Sequence, residues 1–416
     1  MSNELSVTSQ ERTHLRELAR QVAEIAHLPV MAERTELWYA HNALKAPRPV
    51  VVFESWGCVN DIIPPLTCTS PLAKRIEWAL QWTINDFRLV GDDKVVSPEY
   101  RINWNISLRE FDLVFETHRG TDEKGRSLAW VHEHPIKDLA TDLPKLKKSA
   151  YSVDRDATMA TKAAIEGIFG DIMPVVLQCG MEWHAAPSGK IVKLMGMEAM
   201  LMAMMDQPEA MKALYQFLVD DILDYARWLE RENLLTPDNG NHYAGAGSYG
   251  FTHELAPVPG QVKLRDIWVN LNSQETVGIS PAMFEEFAGP AYHQLAEPFG
   301  LAYYGCCEPV HDIWDTCIGK LPHLRKVSIS PWCNEEAMGE RLRKAPVIYS
   351  RKPSPNFVGV GKLDEQAYAE HIATTLRAAK GAHLEFICRD VYALDGDKTK
   401  AGRAVKIIRE QIDKMW

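Results

Sequence analysis

The sequence predicts an α/β fold: a (β/α)8 TIM barrel with an N-terminal helical extension and a β-hairpin insertion. Three observations lead there. Short apolar runs alternate with helical stretches, the pattern of strands joined by crossover helices. Seven such runs stand outside one hairpin, one short of a full barrel, and the eighth is expected near His242. Each run is followed by polar or unusual residues, as expected where barrel strands carry chemistry at their carboxyl ends.

The elements follow in order. Residues 1–48 read as the helical extension, and 1–416 as one barrel domain. Pro49 to Glu54 reads as the first strand, and Ser55, Trp56 and Gly57 as the loop after it. Phe111–Glu116 and Ser127–His132 flank a turn-rich segment and read as the decorating hairpin. The remaining strand candidates are 174–179, 267–270, 301–304, 326–330, 347–350 and 384–388. Between them, Ser280-Pro281 caps a helix running to about Phe299, and Asn334 caps one reaching Lys344. Asp364 opens a helix that Gly381 closes, and the last helix spans about Lys398 to Met415. Gly196 to Glu230 reads as two helices broken at Gln207-Pro208, with seven methionines between Met195 and Met211 that suit adaptable core packing. Residues 239–250 carry four glycines among polar and aromatic residues and read as a surface loop able to close over a ligand.

Composition removes several classes of function. Apolar residues make up 46% and charged residues 25%, an ordinary globular mixture. A formal net charge of −10 argues against a nucleic-acid partner, which needs a clustered basic surface. No apolar run approaches the ~20 residues of a bilayer span, and the polar start lacks a signal-peptide core. Eight cysteines in 416 residues, with no CxxC pair, fit reduced thiols in a cytoplasm.

The densest chemistry lies at residues 303–308, Tyr-Tyr-Gly-Cys-Cys-Glu, where a strand ends. Thiolates and carboxylates bind metals, carry protons and act as nucleophiles. Gln274 and Glu275 follow another strand and suit substrate hydrogen bonding or proton transfer. His311, three residues past Glu308, is a candidate acid. Arg351 and Lys352 follow a strand and can clamp a carboxylate. Trp56 and Trp332 can stack on a ring, and His242 and Tyr243 can close over a ligand. Asp390 can orient a ligand or pair with Arg389. Cys58, Cys68, Cys179, Cys317 and Cys333 read as packing residues.

The chain resembles the uroporphyrinogen decarboxylase superfamily, in the branch with a Gly-Cys-Cys-Glu-Pro signature. The resemblance covers most of the chain, including Trp38–Pro49, Gly196–Glu198, Ser273–Glu275, Ser280–Glu286, Tyr304–Pro309, Leu324–Trp332 and Arg351–Pro353. It implies a (β/α)8 barrel and one of two chemistries. One is cofactor-free decarboxylation of acetate side chains on a tetrapyrrole. The other is methyl transfer to or from a corrinoid protein or a thiol, with zinc held by His-x-Cys and a distant Cys. The decarboxylase's N-terminal Arg-rich motif is not apparent here. The zinc pattern is altered: Cys306 or Cys307 matches the first Cys, Cys388 matches the distant one, and Glu308 stands in for the missing His.

The first expectation is therefore a methyltransferase. It takes a methyl group from a small methoxy or methylamine-type compound, with Glu275, Glu308 and His311 as catalytic groups. Trp56, His242, Tyr243, Gln274, Tyr304, Trp332 and Arg351 bind the substrate. Cys306, Cys307, Glu308 and Cys388 hold zinc, and a partner protein supplies the corrinoid. A homodimer is compatible with the sequence. The second expectation is a metal-free decarboxylase of a carboxylated ring or tetrapyrrole-like compound. The third is a binding protein that has kept the barrel and lost the chemistry.

Overall fold

The computed structural model describes residues 5–121, 127–256 and 260–416. Its centre is a seven-stranded sheet with every strand parallel to its neighbours. The spatial order is Val50–Phe53, His383–Cys388, Ile348–Arg351, Leu324–Ile329, Leu301–Tyr304, Trp268–Leu271, Met181–Ala185. Six of these strands are the expected ones, shifted by a residue or two. The expected strand at 174–179 is Val175–Gln178, but it pairs with Tyr100–Asn103 in a separate two-stranded sheet. Met181–Ala185 takes the place at the sheet edge. Among the described residues no ladder joins the two edges, so the hydrogen bonding does not close a ring of eight.

Strands buried on both faces split their side chains by parity. On the outer face, Val51, Phe53, Tyr304, Val327, Tyr349, Phe386 and Cys388 pack into the large core shared with helices such as Glu365–Ala378 and Pro208–Arg231. The inner face is filled by the glycine-rich segment and by Trp38 of helix Pro29–Asn42. Trp268, Leu301 and Tyr303 cluster with Ala244 and Ala246. Val50, Val52 and Ile387 cluster with Trp38 and Phe251.

Residues 239–250 are thus neither a surface loop nor an eighth strand of the sheet. Tyr243–Gly245 and Ser248–Tyr249 pair with each other and plug the inner face. Two glycines make this possible. Gly245, at φ +126°, would place a Cβ 2.4 Å from Asn270 Nδ2. Gly247, at φ +90°, would place one 2.2 Å from Ile387 Cγ2. Buried polar groups fix the plug: Lys326 Nζ donates to Ser248 Oγ at 2.6 Å, and Ser248 Oγ and His41 Nε2 each contact Glu385 Oε2 at 2.9 Å.

The capping signals were read correctly. Ser280 accepts from Met283 N, Asn334 from Ala337 N and Asp364 from Ala367 N. The decorating hairpin is Thr117–Thr121 with Ser127–His132. Its first strand begins only after the whole of the expected run Phe111–Glu116, where Phe111 and Asp112 adopt positive φ in a turn, and residues 122–125 of the expected turn lie outside the described residues. The methionine stripe divides: Met200, Met204 and Met211 are buried, whereas Met197, Met202 and Met205 are exposed. No described helix is long and apolar enough to cross a membrane.

Candidate active site

The parity that builds the sheet also decides which strand-end side chains look inward. Two residues past Val52 comes Glu54, two past Ile387 comes Arg389, and two past Ser350 comes Lys352. These charged groups meet at the carboxyl end of the sheet. Arg389 Nε lies 3.3 Å from Glu54 Oε2, and the Tyr243 hydroxyl donates to Glu54 Oε1 at 2.8 Å. Gly247 N in turn donates to the Tyr243 oxygen at 2.8 Å. Burial raises the Tyr243 pKa well above the usual range, so its hydroxyl stays protonated. Lys352 Nζ donates to Tyr303 Oη at 2.6 Å and Ser350 Oγ at 2.7 Å, and burial lowers its pKa to about 7.

Glu54 and Tyr243 form one wall of a cavity of about 400 Å³. It lies between the end of the first strand, helix Pro71–Val90, the Tyr100–Asn103/Val175–Gln178 pair and the plug. Trp56, Trp82, Tyr243 and Tyr249 give it aromatic surface. Asp86 and Lys94 also line it but pair with each other. At another part of the lining, Arg101 Nε, Asn241 Oδ1 and His242 Nδ1 are buried without a hydrogen-bond partner. Arg101 is tied to this corner through its hydrogen bond to the Asn241 carbonyl. Burial, and then the Arg101 charge, lowers the His242 pKa to about 4, so the imidazole is neutral at pH 7. A buried polar atom without a partner is costly, and the nitrogens Arg101 Nε and His242 Nδ1 on this cavity suit a ligand that brings an acceptor.

The expected substrate residues fall into two sets. Trp56, His242 and Tyr243 line the cavity. Gln274, Tyr304, Trp332 and Arg351 do not. Tyr304 faces outward, with its hydroxyl against Ser273 Oγ and its ring edge-on to Tyr292. Arg351 also faces outward, where it pairs with Glu335 at 2.6 Å and donates to the Ser330 carbonyl at 2.7 Å. Trp332 is 67% exposed beyond its strand. Gln274 lies in the turn Gln274–Thr276, outside the cavity lining.

The expected catalytic groups serve other ends here. Glu275 accepts from Ser188 Oγ at 2.8 Å on helix Pro187–Met195. Glu308 is buried and clamps two loops, accepting from Ser273 N at 2.7 Å and Cys306 N at 3.0 Å. Burial nevertheless raises its pKa. His311 Nδ1 accepts from Asn334 N at 3.4 Å, beside the cap of helix Glu335–Leu342.

The four expected zinc ligands do not converge. Cys306 Sγ and Cys307 Sγ are 3.5 Å apart. Cys388 points to the opposite face, 3.4 Å from the Tyr368 hydroxyl, and burial pushes its thiol to about 12. Glu308 has its carboxylate occupied by backbone N–H groups. Among the described residues, one set of three potential ligand atoms lies within 4.8 Å of one another: His14, Cys68 and Glu77, between helix Ser9–Ala26 and the start of helix Pro71–Val90. There the Glu77 carboxylate is already taken by His14, Thr67 and Cys68. The donor set around Cys306 does not fit a zinc centre, and no chemistry is assigned to one.

Glu54, Arg101, Asn241 and Arg389 were not singled out as site residues, and Lys352 only as Arg351's companion in a carboxylate clamp. Two isolated charges inside apolar strands, Lys326 and Glu385, were the available signal. They mark the inner face, and counting in twos from 385 and 350 reaches Arg389 and Lys352 while excluding Cys388 and Arg351.

No protein-family model matches this chain, and no curated protein does. Among solved structures, a methyltransferase from Methanosarcina mazei is similar to it, with 14% sequence identity and a TM-score of 0.49, covering 92% of this chain and 98% of that chain.

Proposed function

We propose that this chain is a methyltransferase for a small methylated ammonium compound that carries a carboxylate. The observation that carries the reading is the cavity corner where two nitrogens, Arg101 Nε and His242 Nδ1, lack partners. Arg101 and His242 supply N–H donors for a carboxylate, and a charged acceptor makes such bonds roughly twice as strong as neutral ones. The aromatic surfaces of Trp56, Trp82 and Tyr243, with Glu54 beside them, suit a methylated cation. A quaternary nitrogen is already a good leaving group, so its methyl transfer needs no Lewis acid on the heteroatom. That agrees with ligand positions that fail to converge. Tyr243, whose proton is committed to Glu54, holds that carboxylate beside the cation.

A corrinoid on a partner protein is the acceptor in this reading; it supplies the nucleophile that takes the methyl group. The chain's own residues bind the substrate, orient its methyl group and exclude water from the aromatic end.

Metal-free decarboxylation is the second reading, favoured by the same carboxylate corner and by the lack of convergent ligands. The two are separated in one experiment. Glycine betaine, dimethylglycine and a panel of carboxylated rings are incubated with the chain and reduced cobalamin. A corrinoid absorbance change with loss of one methyl group supports the first reading. Carbon dioxide release without it supports the second and overturns the first.

A further inference from the structure

We infer that Cys306 and Cys307 are a reversible two-electron redox couple, which closes to a vicinal disulfide rather than serving as metal ligands. The backbone around them is pinned. Gly305, at φ +96°, turns the chain out of the strand, and Gly305 N donates to the Leu271 carbonyl at 2.7 Å. Ser328 Oγ donates to the Cys306 carbonyl at 2.7 Å, and Cys306 N donates to Glu308 at 3.0 Å. Both sulfurs are therefore held in place, 3.5 Å apart, with Cys307 Sγ also 3.8 Å from Asp390 Oδ2. Cys307 is half-buried and reachable from solvent, whereas Cys306 is buried.

The charges around the pair favour one thiolate. The contact between the sulfurs lowers the Cys306 pKa and raises that of Cys307, and the Arg389 guanidinium lowers Cys306 further. Of the two thiols, Cys306 is thus favoured as the thiolate and Cys307 as the thiol. A single thiolate beside a thiol is the arrangement that thiol–disulfide chemistry uses. The other sulfurs lack it. Cys388 meets the Tyr368 hydroxyl, Cys333 meets Ser330 and Val310 N, and Cys58 meets the Ser55 carbonyl.

With a peroxide as oxidant, the thiolate sulfur attacks one oxygen and the O–O bond breaks. This leaves a sulfenic acid and a hydroxide, which takes a proton from solvent. The neighbouring thiol then attacks the sulfenic sulfur; the S–S bond forms, the S–O bond breaks and water leaves with the thiol proton. Two thiols and one peroxide give one disulfide and two waters. Adjacent Cα atoms lie about 3.8 Å apart, below the usual disulfide range, so the product is strained and readily reduced.

The test uses the full chain, reduced anaerobically and treated with one equivalent of hydrogen peroxide. Intact mass should fall by two hydrogens, the loss should map to the peptide containing residues 306–307, and dithiothreitol should reverse it. Cys307→Ser should stop at a sulfenic acid trapped by dimedone. Arg389→Lys should keep the rate of closure near that of the parent, and Arg389→Gln should slow it at pH 7 but not at pH 10. Absence of the two-hydrogen loss in the parent overturns the inference, as does its persistence in Cys307→Ser. So does a closure rate in Arg389→Gln equal to the parent's at pH 7. The Cys307→Ser substitution changes one atom, and circular dichroism confirms that each tested variant is folded. The readout needs no substrate, so its outcome is independent of the proposed methyl transfer.

Discussion

Replacing Gly247 with Ala tests whether residues 239–250 plug the sheet. Two costs add. An L-residue in left-handed backbone costs about 1–2 kcal/mol, and Gly247 sits at φ +90°. The new methyl would also lie 2.2 Å from Ile387 Cγ2 and 3.7 Å from the Glu54 carboxylate. Overpacking of this kind costs about 1–3 kcal/mol, so the total is roughly 2–5 kcal/mol. Gly91 supplies the control, because it has φ +67° at the end of helix Pro71–Val90 and nothing within 4 Å of an added Cβ. Gly91→Ala should cost only the backbone share, about 1–2 kcal/mol. The assay is urea denaturation of both variants and the parent, with the difference between variants isolating the packing cost. If Gly247→Ala falls within ~0.5 kcal/mol of Gly91→Ala, the packing cost is absent and the plug is wrong.

Four further outcomes follow from the same geometry. Tyr243→Phe leaves Glu54 Oε1 and Gly247 N each short of a partner, and should destabilise the chain by about 1–3 kcal/mol in the same assay; no change would mean that this hydroxyl bridges nothing. The His242 pKa is lowered to about 4 from its ordinary 6.5, so between those values the folded chain binds fewer protons than the unfolded one. Stability should fall as pH drops from 6.5 toward 4, His371 adding in the same sense, and His242→Gln should make that fall shallower. Arg351→Ala removes one partner of a buried ion pair and should cost about 3–5 kcal/mol, while ligand affinity of the folded fraction stays unchanged; a selective loss of affinity would return Arg351 to the substrate site. Cys388→Ser should leave the zinc content of the purified chain as it was, measured by plasma mass spectrometry, and a loss of bound zinc would restore it as a ligand.

Much of the fold was legible because buried strands announce themselves. Val50–Phe53, Leu301–Tyr304 and His383–Cys388 are short, largely apolar runs bounded by polar, Gly, Pro or Ala residues. Met181–Ala185 escaped because Glu182 and His184 interrupt its apolar character. The site was less legible for a related reason. A strand buried on both faces has no apolar–polar alternation to say which side faces a cavity, so Arg351 was favoured over Lys352 and Tyr304 over Tyr303. The thiol at 388 was read as a ligand because it stands at a strand end, but its parity sends it toward helix Glu365–Ala378 and Tyr368. The residues picked from loops fared better: Trp56, His242 and Tyr243 all reach the cavity. Arg101 was invisible, because its strand belongs to a separate two-stranded sheet that brings it to Asn241 across 140 residues.

Calorimetric titration of the chain with glycine betaine and with tetramethylammonium asks most directly whether Arg101 and His242 hold a carboxylate. The two probes share the methylated cation and differ in the acid. Betaine should bind at least about tenfold more tightly, a difference of ~1.4 kcal/mol, and Arg101→Gln should erase that preference while leaving tetramethylammonium binding as it was. Equal affinities in the parent, no measurable binding of betaine, or an Arg101→Gln chain that still prefers it would contradict the account.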